Sequence, residues 1–156
     1  MTEQQPKEII YVDMDGVIVD LEPLIQKYID AYKFKAESGG LVVDTIPGLF
    51  RDPLPMKDAL ESVKKLFMSP KYDVYILSTA PWDNPSAWTD KRLWIERYLP
   101  FMKKRLILSH NKHLNSGDYL IDDRTKNGAS QFKGHHILFG GDKYPNWKSV
   151  LDFLQP

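Results

Sequence analysis

Two aspartates, Asp13 and Asp15, stand where the apolar run of IIYVDMDGVIVD (residues 9–20) stops, and Asp20 follows five positions later. Carboxylates at the end of a buried strand can attack an electrophile, move a proton or hold a hard cation. Other apolar runs end in the same way. YDVYILST (72–79) closes on Ser78 and Thr79, Lys112 follows RLILSH (105–110), and DYLIDD (118–123) closes on Asp122 and Asp123. In an open parallel sheet, ligands sit outside the carboxyl ends of the strands, so these residues are expected on one rim. Four carboxylates and one lysine repel unless a cation sits among them. Oxygen donors without histidine or cysteine select Mg2+ over zinc. Mg2+ takes further ligands from substrate phosphate, and Ser78, with Thr79 beside it, and Lys112 offer hydrogen bonds and positive charge to that phosphate.

The elements that must position these residues follow from periodicity. Residues 8–13, 72–79, 105–110, 118–123 and 135–140 are short, continuous apolar runs, as expected of strands buried on both faces. Between them lie helical patterns. Met56, Ala59, Leu60, Val63 and Phe67 share one face, as do Trp88, Ile95, Tyr98 and Leu99 before Pro100. Trp147, Val150, Leu151 and Leu154 form a third after an Asn146 cap. Strands alternating with helices imply right-handed crossovers and a parallel sheet. Residues 21–55 interrupt this rhythm, being far longer than an ordinary strand-to-helix loop. They hold an amphipathic helix (Leu21, Leu24, Ile25, Tyr28, Ile29, Tyr32), a break at ESGG (37–40) and the proline-rich IPGLFRDPLP (46–55). This is expected to be a small cap inserted after the first strand.

Local alternatives are simple. Asp15-Gly16 between apolar residues is also a hairpin signal, compatible with a catalytic role. An EF-hand loop counted from Asp13 fails, because Val17 and Ile18 replace its third ligand and its glycine, and Leu24 its closing glutamate. Asp20 reads as the cap of the inserted helix. His135 and His136 show no metal-ligand spacing and read as structural.

The 156 residues carry 21 basic and 21 acidic side chains, so nothing suggests the positive field of a nucleic-acid or membrane-surface binder. No cysteine is present, which excludes a disulfide framework and thiolate metal sites. A polar amino terminus without a long apolar run predicts neither signal peptide nor membrane span. The expected setting is the cytoplasm, with oligomeric state open.

The order of these motifs resembles the haloacid dehalogenase superfamily of phosphatases: DMDGV as motif I, ILST as motif II, Lys112 as motif III and IDD as motif IV. VDMDGVIVD, GLFRDPLP, KRLWIERYL, LILSHNKHL, YLIDDR and HHILF, in this order from Glu8 to Leu154, further resemble the 5'(3')-deoxyribonucleotidase family. The resemblance implies an α/β fold, a Rossmann-like parallel sheet sandwiched by helices. Its core would be residues 1–20 and 56–156, with a small helical cap at 21–55. It further implies a Mg2+-dependent phosphomonoesterase acting on (deoxy)nucleoside monophosphates. Asp13 would be the nucleophile that becomes an aspartyl-phosphate, and Asp15 the acid and base. Asp13, the Asp15 carbonyl and the Asp122–Asp123 pair would hold the ion, with either aspartate of that pair as direct ligand. Phe50 and Trp82 are candidates for stacking on the base. Animal members carry an aromatic where this chain has Leu21, and their insert is longer. The alternatives are the same chemistry on another small phosphate, such as a sugar phosphate, and a non-catalytic phosphometabolite-binding relative.

Overall fold

The computed structural model of the chain describes residues 5–32 and 42–156. These form seven strands and four α-helices. In chain order they are β1 (Glu8–Val12), β2 (Val19–Asp20), α1 (Glu22–Tyr32), β3 (Leu54–Pro55), α2 (Ala59–Met68), β4 (Tyr72–Ser78), α3 (Pro85–Tyr98), β5 (Leu106–Leu108), β6 (Tyr119–Asp122), β7 (His135–Leu138) and α4 (Trp147–Leu154). All five apolar runs are strands, and they pair in parallel in the order β5-β4-β1-β6-β7. Glu8 pairs with Tyr72 and Val12 with Ile76 on one side of β1, while Val12 pairs with Ile121 on the other. The chain winds outward through β4 and β5, then returns past β1 to β6 and β7. That reversal leaves a crevice at the carboxyl end of β1, the switch point where α/β sheets bind ligands.

Alternation along the central strands sends side chains to both faces. Ile10, Val12, Val74 and Ile76 meet α2 through Val63 and Leu66, α3 through Trp94 and Ile95, and α4 through Trp147 and Val150. Tyr11, Leu77 and Leu120 pack oppositely on Ala129 and Phe132, beside a short 3-10 turn at Ala129–Gln131. α4 begins as expected: the Asn146 side chain accepts from the Ser149 amide in a reciprocal capping box. α3 keeps most of its expected face, with Ile95 and Leu99 buried and Tyr98 packed against the core. Ala87, Asp90, Lys91, Trp94 and Ile95 are its buried positions, and Trp88 is 36% exposed. Its true inward stripe includes two charges, which broke the apolar period.

The interrupting segment is tied at its base. Val19 pairs with Pro55 and Asp20 with Leu54, antiparallel, so β2 and β3 close a two-stranded clasp around residues 21–53. Asp20 is therefore a strand residue and does not cap α1. The backbone carbonyl of Leu21 accepts the first helical bonds, from the amides of Leu24 and Ile25. Leu21, Ile25, Val43, Leu49 and Phe50 form a cluster with Ala80 and Ala87 of the sheet side, and Leu24, Tyr28 and Ile29 pack against it. The Tyr32 side chain and ESGG lie outside the described residues. Among the described residues no helix is long and apolar enough to cross a membrane.

Trp147 joins the far end of the chain to the loop after β1. Its buried indole N–H donates to the Val17 carbonyl at 2.9 Å. Trp147→Phe retains most of the packing but strands that carbonyl. It should lower unfolding free energy by about 1 to 3 kcal/mol, read as a lower urea midpoint with unchanged slope.

Candidate active site

The amide of Asp13 donates to the Ile121 carbonyl at 2.9 Å, extending the ladder beyond β1 and holding Asp13 between β1 and β6. The chain then turns tightly: the amides of Val17, Ile18 and Val19 all converge on the Met14 carbonyl. Gly16 sits in this turn with φ +75°, and a Cβ there would lie 2.2 Å from Asp123 Oδ2. Only glycine allows both the turn and the approach of Asp123. The expected Asp15-Gly16 hairpin is thus a closed turn, with Asp15 bridged to Val19.

Oxygens of Asp13, Asp122 and Asp123 all lie within 4.8 Å of one another. Lys112, from a 3-10 turn at Lys112–Leu114, places its buried ammonium 3.1 Å from Asp13 Oδ1 and 2.5 Å from Asp122 Oδ2. The other oxygen of Asp122 accepts the Arg124 amide at 2.9 Å. Asp123 differs, since its buried Oδ1 has no hydrogen-bond partner. Negative charge is in surplus, and proton affinities record it. Burial alone would lower the Lys112 pKa, yet Asp13 and Asp122 hold it above the usual lysine value. Burial, then the charge of Asp13, raise Asp122 despite Lys112. The same two causes push Asp123 up to about 6, against the pull of Arg124.

Asp15 stands outside this carboxylate cluster and pairs with a second lysine. Its Oδ2 is 2.5 Å from the ammonium of Lys91, which also donates to Ser78 Oγ at 3.2 Å. Lys91 was not legible as a site residue from local sequence. The signal that could have found it is a lysine at a helix core position, four residues after Ala87 and three before Trp94. Ser78 is buried at the end of β4 as expected, but the Thr79 hydroxyl donates to the Ser109 carbonyl at 2.7 Å, tying β4 to the end of β5.

A cleft of about 560 Å³ opens over these groups, and Asp13, Asp15, Ser78, Thr79, Lys112 and Asp122 line it. Asp44 of the insert and Arg124 line it too, and neither was singled out from the sequence. Burial and then the charge of Asp15 raise the Asp44 pKa, with Arg124 and Lys91 opposing. Phe50 and Trp82 both reach the cleft in different states. Phe50 is buried with its ring centroid 4.7 Å from the Lys91 ammonium, whereas Trp82 is 77% exposed, 6.1 Å from the His110 ring. Trp88 also approaches His110 and is absent from the lining. His135 and His136 lie in β7 and do not line the cleft; His135 bonds to the Tyr144 hydroxyl and His136 to the Asp122 carbonyl.

The chain has counterparts among known proteins. The family model described as "5' nucleotidase, deoxy (Pyrimidine), cytosolic type C protein" matches residues 42–151. A protein of Vibrio phage KVP40 named as a 5'(3')-deoxyribonucleotidase is 52% identical over 149 residues, 95% of this chain and 85% of its own. One of the same name from Staphylococcus aureus is 32% identical, over 95% of this chain and 96% of its own. Among solved structures, the HAD-hydrolase YfnB from Bacillus subtilis, bound to magnesium, superposes with TM-score 0.58 at 9% identity, over 97% of this chain and 100% of its own. A haloacid dehalogenase-like hydrolase from Burkholderia xenovorans gives 0.52 at 13% identity, over 90% and 85%. The sheet, the motif order and these relatives agree: the chain belongs to the 5'(3')-deoxyribonucleotidase family of haloacid dehalogenase-fold hydrolases, and is a phosphoric monoester hydrolase.

Proposed function

We propose that the chain removes phosphate from (deoxy)nucleoside monophosphates in a Mg2+-dependent reaction with an aspartyl-phosphate intermediate on Asp13. The observation that carries this reading is the negative surplus at the rim: three carboxylates within 4.8 Å, one of them with an orphaned buried oxygen. Such an oxygen-only set suits a hard divalent cation. Asp13, Asp123 and the Asp15 carbonyl would hold Mg2+. Asp123 is the freer of the motif IV pair, because both oxygens of Asp122 already accept from Lys112 and Arg124. When bound, the ion supplies neutralisation of charge on the phosphate and the carboxylates. The magnesium bound by YfnB belongs to that protein and supports the reading by analogy of fold alone.

The protein groups divide the work. An Asp13 oxygen attacks phosphorus, the bond from phosphorus to the nucleoside oxygen breaks, and Asp15 protonates that departing oxygen. Asp15 then takes a proton from the water that hydrolyses the aspartyl-phosphate, returning Asp13 and releasing phosphate. Lys112 holds Asp13 against Asp122 and adds positive charge beside the incoming phosphate, while Ser78 and Thr79 line its seat. Residues 21–55 act as the cap over this seat. Phe50, at the inner wall, and Trp82, at the mouth, are the proposed contacts of the base, in keeping with the nucleotidase names of the relatives.

Two predictions follow from these assignments. Asp13→Asn changes one charge and little volume, so it should abolish nucleotide hydrolysis in a panel of monophosphates with Mg2+ while the thermal midpoint persists. Turnover in that variant would overturn the covalent route. The second uses Asp123, whose folded pKa of about 6 stands above the ordinary value of 3.8. The folded state therefore binds the proton more tightly, and stability in EDTA should fall as pH rises from about 4 through about 6. Asp123→Asn removes this loss: relative to wild type it should gain about 1 to 3 kcal/mol at pH 7.5 and little at pH 4. Mg2+ should stabilise wild type at pH 7.5 more than the variant. Equal shifts at both pH values would show that Asp123 carries no such burden.

A further inference from the structure

Lys91 is the most heavily committed side chain that the motif positions leave out. It is 0% exposed, and a lysine so buried is kept only where partners offset its lost hydration. Its ammonium has three partners from three parts of the chain: Asp15 Oδ2 at 2.5 Å, Ser78 Oγ at 3.2 Å, and the face of Phe50 at 4.7 Å. The helix that carries it is itself fastened to the returning end of the insert. Arg51 pairs with Asp90 at 3.1 Å, Asp52 with Arg97 at 3.2 Å, and the Trp94 indole donates to the Pro53 carbonyl at 2.9 Å. Four consecutive residues, 50 to 53, thus engage α3 around Lys91.

We propose that Lys91 is a positioning residue that acts through Asp15. Fixed by the fastening of residues 50–53 to α3, its ammonium holds Asp15 by Oδ2, so that Oδ1 is the oxygen that carries the proton given to the leaving group and later takes one from the attacking water. The position of the acid–base group is then set by the packing of the insert on the core. This rests on the acid–base reading of Asp15 given above. A cation that only bound phosphate would face the cleft with its donors free; Lys91 is absent from the cleft lining and spends its contacts on Asp15, Ser78 and Phe50.

The test is a double-mutant cycle on kcat and KM with a deoxynucleoside 5'-monophosphate, using wild type, Lys91→Gln, Asp15→Asn and the double variant. Thermal midpoints report folding throughout. Lys91→Gln should lower kcat about 10- to 100-fold with KM changed less than about threefold, while Asp15→Asn should lower kcat by about 10² to 10⁴. The double variant should be no slower than Asp15→Asn, since residues that act as one unit are non-additive. Multiplying effects, an unchanged kcat, or a raised KM at constant kcat would overturn the proposal. If Asp15→Asn leaves kcat intact, the acid–base reading fails first and this proposal with it; a slow Asp15→Asn with multiplying effects sinks this proposal alone. Should Lys91→Gln not fold, Lys91→Met fills the apolar part of the slot and enters the same cycle with the same outcomes.

Discussion

Excess negative charge at the carboxyl edge of the sheet is the constraint around which the rest of the molecule is arranged. Asp13, Asp122 and Asp123 come together within 4.8 Å because β1 and β6 are hydrogen-bonded neighbours that run the same way. Repulsion at such separations, in partly buried surroundings, is strong. The fold answers it with one buried lysine, which leaves the cluster still negative. Burial raises the proton affinities of Asp122 and Asp123 and lowers that of Lys112, whereas the negative charge of Asp13 raises all three. A rim left in that condition is prepared for a cation and for a phosphate that shares it, which is why the chemistry proposed for this chain is phosphoryl transfer.

Two tryptophans and one helix convert that rim into a site with fixed geometry. The Trp147 indole holds the Val17 carbonyl and the Trp94 indole holds the Pro53 carbonyl, so the turn after β1 and the returning end of the insert are each pinned by a buried N–H from a core helix. A loop carbonyl held from the core loses conformational freedom that water would otherwise allow it, and buried indole N–H groups need such partners. Between these pins, α3 buries Asp90 and Lys91 against the insert and the turn after β1. The clasp of β2 and β3 completes the arrangement by closing the base of the inserted segment.

Local pattern was enough for much of this. The five strands are continuous apolar runs that end in polar residues, so a rim bearing Asp13, Ser78, Lys112 and Asp122 could be drawn from spacing, whereas the strand order, and the 3-10 turns that replace helices between β5, β6 and β7, could not. The cap of α4 was equally visible, because capping is a contact between residues three apart. Where reading failed, distant contacts had overruled local preference. Asp20 looked like a helix cap, but strand pairing with Leu54 took its backbone instead. Of the face read for α3, Ile95, Tyr98 and Leu99 do meet the core, but Trp88 is left exposed because Ala87, Asp90 and Lys91 take the inward positions of the first turns.

Residue types and their order along the chain therefore decided the fold class, the carboxylates of the rim and the class of chemistry they suit, since each rests on periodicity or on the nature of a donor atom. Tertiary structure alone decided how charge is shared among them. That Lys112 joins Asp13 to Asp122, that Gly16 is required by Asp123, and that Lys91 reaches Asp15 are relations between residues 10 to 107 positions apart in sequence, and only the fold leaves an Asp123 oxygen orphaned. Electrostatic energy depends on distance in space and on burial, and neither is written in the spacing of residues along a chain.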